Sequence, residues 1–478
     1  MSSPRLIFHC DCNNFFASCE CLERPELRLV PMAVAGNTES RKGVVVAKNE
    51  LAKRRGIQTT DTVWQAKKKC PELVFVPPQH ELFVPPQHEL YERVSRQINE
   101  IYLSYTDRVE PASIDESYLD LTGTLSYYGM TAGELADSIR ARVRLEVGVT
   151  ISVGVSFNKT FAKMGSDYRK PDATTVVTEE NYKALLWPLP VGNMLFIGAA
   201  AAEKLKKKDV RTIGDLAALS REKAEELLGK GGLGVWRASN GLDDAPVRRF
   251  ADRAEVKSIS RGMTFKRDLI APDEVKQAVA ALAGEVATQL REEKLKGRVI
   301  QIQIKAPMLT VYSRQLTLPF ATCTQQEVET HALNLIRKNW HVSANAPIRA
   351  LTVGVTGLVA ASEATEQISF LDMFEADVQN SGTGALSRGY RSYAKRERRE
   401  KLEAAVDAIR RRHGENAIIR GNTGNPEIGL KSAWKKKAKA GKEEKVSRPQ
   451  DARDELPVDR SAPAPPCSRL EYSKAEES

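Results

Sequence analysis

The chain has 478 residues, a length that predicts about three or four domains. Hydrophobic residues make up 41% of it, enough for several cores, and the formal net charge of +10 favours a polyanionic partner such as nucleic acid. No run approaches the roughly 18 apolar residues of a transmembrane helix, and the N-terminus carries no signal-peptide pattern. We therefore expect a cytoplasmic protein with no membrane partner.

Four of the seven cysteines form two C-x-C pairs, Cys10 with Cys12 and Cys19 with Cys21. Such pairs occur in zinc sites, but the first shares one face of a predicted strand and the second lies in a helical pattern. Small thiols packed in a core are therefore the stronger interpretation. An odd cysteine count without signs of secretion fits a reducing compartment.

The N-terminal third of the chain predicts the order β-α-β-β-α-β, which is typical of a ferredoxin-like sheet. An apolar strand at 5–12 ends in a carboxylate, and two strands flank a tight turn within 108–121. The remaining predicted elements are a helix at 14–22, a helix at 91–103, a helix at 132–147 and a strand at 149–156.

A perfect tandem repeat interrupts this region. The octapeptide Phe-Val-Pro-Pro-Gln-His-Glu-Leu occupies 75–82 and again 83–90. Eight residues are too few for a solenoid unit, and two prolines in each copy disfavour helix. We interpret the repeat as a duplicated extended loop.

The rest of the chain predicts a helical segment, a polar basic linker and a second mixed region. The period-two pattern of Arg298 to Lys305 predicts a half-exposed strand, and helices are expected in the same region. A charged helix is expected at 392–413, with no assignable partner, and the composition beyond residue 431 predicts disorder. The further expected elements are strands at 314–318 and 349–355 and helices at 273–294 and 325–339.

Three carboxylates stand where strands end or turn: Asp11, Asp115 and Glu116. Carboxylates that converge repel each other unless cations neutralise them, and Mg²⁺ prefers such oxygen ligands. Two such ions would stabilise the attacking and leaving oxygens of a phosphoryl transfer. Spacing alone leaves the plainer alternative open, in which these acids cap turns or pair with arginines.

Two motifs carry a resemblance to a known family. Asp11-Cys-Asn-Asn-Phe-Phe-Ala-Ser-Cys-Glu20 and Ser113-Ile-Asp-Glu-Ser-Tyr-Leu-Asp-Leu121 resemble the catalytic motifs of Y-family translesion DNA polymerases, most closely the bacterial DNA polymerase IV branch. The resemblance extends from residue 5 to about 374. It implies an α+β right-hand polymerase with a ferredoxin-like palm, small fingers, a helix-hairpin-helix thumb and an α/β little-finger domain.

The resemblance implies a role for each matching residue. Asp11, Asp115 and Glu116 would be the catalytic ligands of two Mg²⁺ ions, and the backbone carbonyl of Cys12 would assist them. Phe16 falls on the steric gate that excludes a 2′-hydroxyl, although plain core packing remains an alternative for it.

Three further positions match residues that contact the nucleotide. Phe15 would be a core or sugar-stacking residue, and Lys170 falls on the lysine that binds the triphosphate. Lys53 stands where the family usually has an arginine, so it would lack bidentate geometry. Glu50 replaces a usual tyrosine and would pair with Lys53 or Arg54.

A hairpin around Gly198 resembles the thumb motif that offers backbone N–H groups to DNA phosphates. Residues 199–202 are all alanine, where polar or basic residues are common in the family, so this contact would be weaker than usual. Lys257 to Phe265 resembles the start of the little finger, whose strands would lie along DNA.

Gln367-Ile-Ser-Phe-Leu371 resembles the peptide that binds the sliding clamp, with Gln367 as anchor and Phe370 and Leu371 as apolar plugs. The predicted domain boundaries follow from these matches. They are palm 1–19 and 91–175, fingers 20–90, thumb 176–247, linker 248–258, little finger 259–360, clamp peptide 361–374, basic helical extension 375–430 and disordered tail 431–478.

The resemblance predicts a monomeric, low-fidelity DNA-directed DNA polymerase that acts in translesion synthesis without proofreading. Its partners would be primer–template DNA, deoxynucleoside triphosphates (dNTPs) and the sliding clamp. Two alternatives stay open. One is a catalytically weak relic that binds clamp and DNA, suggested by Glu50, the alanine run at 199–202 and the repeat. The other is a two-metal nuclease, which would leave Phe16, Lys170 and the clamp peptide unexplained.

Overall fold

A computed structural model gives the fold and describes residues 4–36, 43–76, 88–252, 255–364, 388–414, 417–418 and 425–430. The chain divides into two compact units, Met1–Ala254 and Glu255–Ser478. No helix within these described ranges is long and apolar enough to cross a lipid bilayer.

The first unit contains eight strands among its described residues. They are β1 (Ile7–Cys12), β2 (Met32–Ala35), β3 (Val45–Lys48), β4 (Val74–Val76), β5 (Val109–Pro111), β6 (Glu116–Asp120), β7 (Ile151–Ser156) and β8 (Thr174–Val176). Its α-helices are α1 (Phe15–Glu23), α2 (Glu50–Arg54), α3 (Val63–Lys69), α4 (His88–Leu103), α5 (Leu125–Tyr128), α6 (Ala132–Glu146), α7 (Lys159–Tyr168), α8 (Tyr182–Leu186), α9 (Ala199–Lys206), α10 (Ile213–Ala217), α11 (Arg221–Leu228) and α12 (Gly232–Ser239).

The central sheet has the strand order β5-β6-β1-β7-β8. β1 lies in the middle and pairs antiparallel with β6 and β7, while β8 joins the edge parallel to β7. Without β8, this is the strand order of a ferredoxin-like sheet, as the sequence predicted. The position of β1 explains why all six of its residues are buried.

The side chains of β1 alternate between the two faces of the sheet. Phe8, Cys10 and Cys12 pack with residues of α4 and α6 in one core, while His9 and Asp11 face α7. Cys10 and Cys12 are therefore free thiols that contribute to packing.

Helix α7 lies unusually close to β7 because glycines meet at the crossing. A Cβ on Gly154 would stand 1.9 Å from the carbonyl oxygen of Ala162, and one on Gly165 would stand 3.2 Å from Gly154 Cα. The Asn158 side chain caps the helix by accepting a hydrogen bond from Phe161 N–H. This close contact carries the polar face of α7 to the end of β1.

A second sheet, with the order β3-β2-β4, forms a smaller core with α2 and α3. β4 ends with the first two residues of the octapeptide repeat, and α4 begins at His88 within its second copy; residues 77–87 lie outside the described ranges. The helix starts three residues before its predicted bound because the prolines of the repeat restrict only the residues before and beside them.

Helices α8 to α12 enclose a separate core, as expected for the helical segment. Gly198 is the N-cap of α9. Because glycine has no side chain, it does not cap the first N–H groups of this helix. The next three alanines are exposed or half-buried.

The second unit is a four-stranded antiparallel sheet, with two helices covering one face and a third helix beyond them. Its elements are β9 (Ser258–Leu269), α13 (Pro272–Glu292), β10 (Leu295–Lys305), β11 (Val311–Thr322), α14 (Gln325–Asn339), β12 (Ile348–Ala360) and α15 (Arg388–His413), and the strand order is β11-β10-β12-β9. Ile300, Ile302 and Ile304 of β10 are buried in the core with α13 and α14. One side of β10 thus faces the core and the other does not, as the alternating sequence of this strand predicted.

The charged helix α15 has a partner that the sequence did not reveal. Arg291 of α13 lies 2.7 Å from Glu403 and 2.6 Å from Asp407, and all three side chains are largely buried. Ile428 and Leu430 are buried in the core of the same unit. Residues beyond the predicted little finger therefore form part of this unit.

Candidate active site

The centre of the site forms where β1 and β6 lie side by side. Asp11 stands directly opposite Glu116 in the antiparallel register, so both side chains leave the same face of the sheet. Asp115 immediately precedes β6, and its carbonyl accepts a hydrogen bond from Cys12 N–H at 2.9 Å. Strand pairing therefore brings the three predicted residues to one end of the central sheet.

Two lysines bind these carboxylates. Lys163 Nζ lies 2.8 Å from Asp11 Oδ2 and 2.9 Å from Glu116 Oε1, so one ammonium group bridges the two acids. Lys170 Nζ lies 2.6 Å from the same oxygen of Asp11, and both lysines also pair with Asp167. Asp11 and Glu116 thus already share one positive charge, the ammonium group of Lys163.

Asp115 does not join this ion-pair cluster. Its Oδ1 accepts a hydrogen bond from the Ser113 hydroxyl at 2.6 Å, although the residue lines the same cavity as Asp11 and Glu116. Within the described part of the chain, no three His, Cys, Asp or Glu side chains are gathered as ligands of one ion. The structure therefore places two predicted ligands together and the third beside them.

The two adjacent acids resist being ionised together. Burial, reinforced by Glu116, raises the pKa of Asp11 despite the two ammonium groups. The pKa of Glu116 is lowered, mainly by the contact of Glu116 with His9. Asp11 and Lys163 lower it further. Burial alone would lower the pKa of Lys163, but Asp11 and Glu116 raise it. Such a pair is the electrostatic setting that a divalent cation relieves.

A cavity of about 340 Å³ opens over the carboxylates, between the end of β1, the start of α1, strand β3 and helix α2. Its lining includes each residue that the sequence assigned to metal or nucleotide. Besides the three carboxylates, these are Cys12, Phe15, Phe16, Lys53 and Lys170. The folded chain therefore brings all the predicted metal and nucleotide residues to one space.

The two phenylalanines at the start of α1 differ in exposure. Phe15 is buried in the core of the central sheet, while Phe16 is half-buried and packs its ring 4.4 Å from that of Tyr91. Phe16 is thus the more accessible aromatic wall of the cavity, and Tyr91 backs it.

Glu50 is held inside the cavity wall by two partners. Asn14 Nδ2 donates a hydrogen bond to Glu50 Oε1 at 3.0 Å, and Lys53 Nζ lies 3.5 Å from the same oxygen. Of the two partners suggested by the sequence, Glu50 therefore pairs with Lys53. This contact draws the Lys53 charge toward a carboxylate on the cavity wall.

Sequence reasoning missed two residues of this site, Lys163 and His9. Lys163 stands within the otherwise buried stretch of α7, and a lone lysine among small and apolar residues was the available signal. The predicted clamp residues Gln367, Phe370 and Leu371 lie outside the described residues.

Comparisons with known proteins agree with this fold. Residues 10–167 match the model of the impB/mucB/samB family, and residues 256–370 match the model of its C-terminal domain. The chain therefore belongs to this family, the Y family of DNA polymerases, as its motifs predicted. The predicted fold class and the enzyme class, a DNA-directed DNA polymerase, are confirmed.

Individual relatives match over most of their length. A protein named DNA polymerase IV from Acetivibrio thermocellus is 40% identical over 417 residues, covering 87% of this chain and 97% of the relative. DNA polymerase IV 1 of Bacillus subtilis is 37% identical, covering 77% and 85%. A solved Y-family DNA polymerase chimera of Dbh and Dpo4 shares the fold, with a TM-score of 0.65 and 21% identity over 74% of this chain and 99% of the chimera.

Membership of the family fixes the general chemistry. Its polymerases use divalent metal ions and take a DNA template and dNTPs as substrates, and translesion synthesis is consistent with the family. The basic net charge of the chain suits the DNA partner.

Proposed function

We propose that Asp11, Asp115 and Glu116 hold two Mg²⁺ ions and that the chain transfers a nucleotidyl group from a dNTP to a primer 3′-hydroxyl. One observation carries this proposal: Asp11 and Glu116 face each other across β1 and β6 and share the ammonium of Lys163. A pair of carboxylates that already shares a monovalent cation, with a third lining the same cavity, fits hard divalent ions. The ions would stabilise the attacking and leaving oxygens.

The chain's own residues would position the reactants. Divalent ions held by Asp11 would weaken its attraction for Lys163 and Lys170, and these two lysines would then offer their ammonium groups to the negative triphosphate. Lys170 borders the cavity directly and Lys53 borders it from α2. The backbone carbonyl of Cys12 would contribute one further oxygen. Positioning and charge neutralisation then supply most of the rate enhancement.

Phe16 would act as the steric gate. Its ring forms an accessible cavity wall and is supported from behind by Tyr91, so it has little freedom to withdraw from a 2′-hydroxyl. Phe15, buried beneath it, would hold the start of α1 in place. Truncating Phe16 to Ala is expected to increase ribonucleotide incorporation relative to dNTP incorporation.

We propose that the enzyme acts as a cytoplasmic monomer that binds the sliding clamp through Gln367, Phe370 and Leu371. The sequence of this segment supports the proposal, because a glutamine anchor followed by two apolar residues suits a groove-binding peptide. Replacing the three residues by Ala is expected to abolish capture by immobilised clamp, whereas unchanged capture would refute this role.

Primer extension tests the function. The wild type with Mg²⁺ and dNTPs should extend a primer on undamaged and abasic templates, and Glu116→Gln should lose about 1000-fold in rate while still binding DNA. Glu92→Gln, which changes an exposed acid of α4, is the matched control and should behave as wild type. A folded, DNA-binding wild type without extension would instead support the relic. Full activity of Glu116→Gln would refute the metal assignment.

A further inference from the structure

A third lysine lines the cavity besides Lys53 and Lys170. Lys48 is the last residue of β3, is half-buried, and borders the same space as the three carboxylates. Its ammonium donates a hydrogen bond to the Thr59 hydroxyl at 3.1 Å, and Thr59 lines the cavity as well. A lysine ammonium can bind phosphate as a point charge, so the position of Lys48 makes it a candidate phosphate ligand.

Lys48 differs from the other two lysines in its partners. Lys170 Nζ lies 2.6 Å from Asp11 Oδ2, and Lys53 Nζ lies 3.5 Å from Glu50 Oε1. Lys48 makes no ion pair with any residue that the structure describes, and the Thr59 hydroxyl that holds its ammonium is neutral. Among the lysines of the cavity, it is therefore Lys48 whose charge lacks a contacting carboxylate in the described chain.

The surroundings of Lys48 oppose its positive charge. Burial lowers the pKa of its ammonium, and the charge of Lys53 lowers this pKa further, while Glu50 and Asp61 act in the opposite direction with smaller effect. A phosphate group beside Lys48 Nζ would offset both unfavourable contributions. The electrostatics of the empty wall thus favour an anionic ligand.

The backbone that follows Lys48 is held in place by Asn49. Asn49 Oδ1 accepts hydrogen bonds from Met32 N–H at 3.2 Å and from Ala52 N–H at 3.0 Å, and Nδ2 donates to Val30 O at 2.8 Å. Lys48 itself is paired between β2 and β3. The base of its side chain is therefore fixed on the cavity wall, which reduces the entropy lost when a ligand binds.

The wall around Lys53 suits an anion less well. Asn14 Nδ2 donates a hydrogen bond to Glu50 Oε1 at 3.0 Å, and this is the oxygen that faces Lys53. The hydrogen bond keeps the carboxylate beside the ammonium. A phosphate that approached Lys53 would meet a negative charge together with the positive one, so attraction and repulsion largely cancel.

We propose that Lys48 is a nucleotide-binding residue whose ammonium binds the triphosphate of the incoming dNTP, and that it contributes more to dNTP affinity than Lys53 does. The inference rests on the proposed nucleotidyl transfer in this cavity. Lys48 has the larger role because its charge is available, and Lys53 has the smaller one because Glu50 offsets its charge.

Substitutions that remove or keep each charge test this role. Lys48→Met removes the ammonium and keeps an apolar stem, whereas Lys48→Arg keeps the charge. Lys53→Met removes the second ammonium, and Glu50→Gln removes the carboxylate charge that offsets it. Lys67→Met is the control, because Lys67 is an exposed lysine of α3 outside the cavity lining.

Single-nucleotide incorporation by the full-length chain, measured in the pre-steady state over a range of dNTP concentrations, separates the dNTP dissociation constant from the maximal rate. We expect Lys48→Met to raise the dissociation constant about 10-fold and to change the maximal rate by less than about threefold. Lys48→Arg should restore most of the affinity, and Lys67→Met should match wild type. Lys53→Met should raise the dissociation constant only about twofold, and Glu50→Gln should lower it.

Two further readouts identify the group that Lys48 binds. Pyrophosphate has the phosphates of a dNTP without its base and sugar, so Lys48→Met should weaken pyrophosphate inhibition by the same factor as dNTP binding. Fluorescence anisotropy with labelled primer–template measures DNA affinity, which Lys48→Met should leave unchanged.

Unchanged dNTP affinity in folded Lys48→Met would overturn the proposal. A loss of DNA affinity alone would assign Lys48 to a template phosphate, and weaker dNTP binding with unchanged pyrophosphate inhibition would assign it to the base; both results contradict the proposal. An equal loss in Lys53→Met, or no gain in Glu50→Gln, would overturn the ranking of the two lysines.

If Lys48→Met does not fold, Lys48→Gln, which keeps a polar end for Thr59, is measured against the same outcomes. Failure of the underlying function is distinct, because the folded wild type would then bind primer–template and incorporate no dNTP.

Discussion

Glu110 of β5 joins three parts of the first unit. Its Oε2 lies 2.6 Å from Lys159 Nζ at the start of α7 and accepts a hydrogen bond from Arg248 N–H at 2.8 Å, while its Oε1 lies 3.1 Å from the Arg248 guanidinium. Burial alone would raise the pKa of Glu110, but these donors lower it below its ordinary value. The contact therefore stabilises the start of the helix that carries Lys163.

We expect Glu110→Gln to reduce the free energy of unfolding by about 1–3 kcal/mol at pH 7. A carboxyl whose folded pKa is lowered contributes stability above its unfolded pKa, near 4.5, and loses it as the pH falls through the folded pKa. The difference from wild type should therefore shrink in urea denaturation as the pH falls below about 4.5. A difference that stays constant with pH would contradict this assignment.

At the scale of single residues, the sequence revealed carboxylates better than their partners. Asp11 and Glu116 were assigned because each stands at the end or turn of an apolar strand and falls within a motif that resembles the catalytic motifs of the family. Lys163 and His9 were missed because their roles depend on the distance between α7 and β1. Gly154 of β7 and Gly165 of α7 set that distance, because their close contact lets the helix pack against the sheet.

At the scale of elements, the contact between α7 and β7 positions the site. We expect Gly154→Ala to destabilise the first unit by about 3 kcal/mol or more, because the added methyl group would meet backbone atoms that cannot rotate away. Thermal or urea unfolding measures this loss. Gly133→Ala in α6 is the control, because its nearest neighbour is 3.8 Å away and alanine favours helix. Equal stability of the two variants would refute the packing argument.

Elements with a long regular pattern were predictable and short ones were not. The helix at 273–294 and the strand at 298–305 correspond to α13 and β10, because eight or more residues repeat one period in each. β10 begins three residues earlier than predicted, where the register shifts between Gly297 and Val299 and breaks the alternation. β2 and β8 were not predicted, since three or four residues carry too little periodicity.

At the scale of the whole molecule, the second unit includes more chain than the matched family domain, which ends at residue 370. Lys266 N–H of β9 donates to Ile428 O at 3.2 Å, and the Ile428 side chain is completely buried. The sequence predicted a separate basic extension there, because charge dominates the composition and the few buried positions are scattered. Only the folded contacts reveal which apolar residues complete the core.

We expect Ile428→Ala to destabilise the second unit by about 2–5 kcal/mol, as for other fully buried aliphatic truncations. Differential scanning calorimetry of the full chain would detect it. Glu427→Gln next to it, on an exposed side chain, should change stability by less than about 1 kcal/mol. Identical unfolding of the two variants would show that residues 425–430 do not contribute to this core.

The proposed metal site requires three carboxylates, and Asp115 is one of them. Asp115 is the most informative of the three to change, because its hydrogen bond to Ser113 also fits a plain turn residue. The measurement is single-nucleotide incorporation with Mg²⁺ by Asp115→Asn, with Asp120→Asn of β6 as control. We expect Asp115→Asn to lose about 1000-fold in rate with unchanged DNA binding, and the control to keep a near-normal rate. A rate for Asp115→Asn close to that of wild type would contradict it.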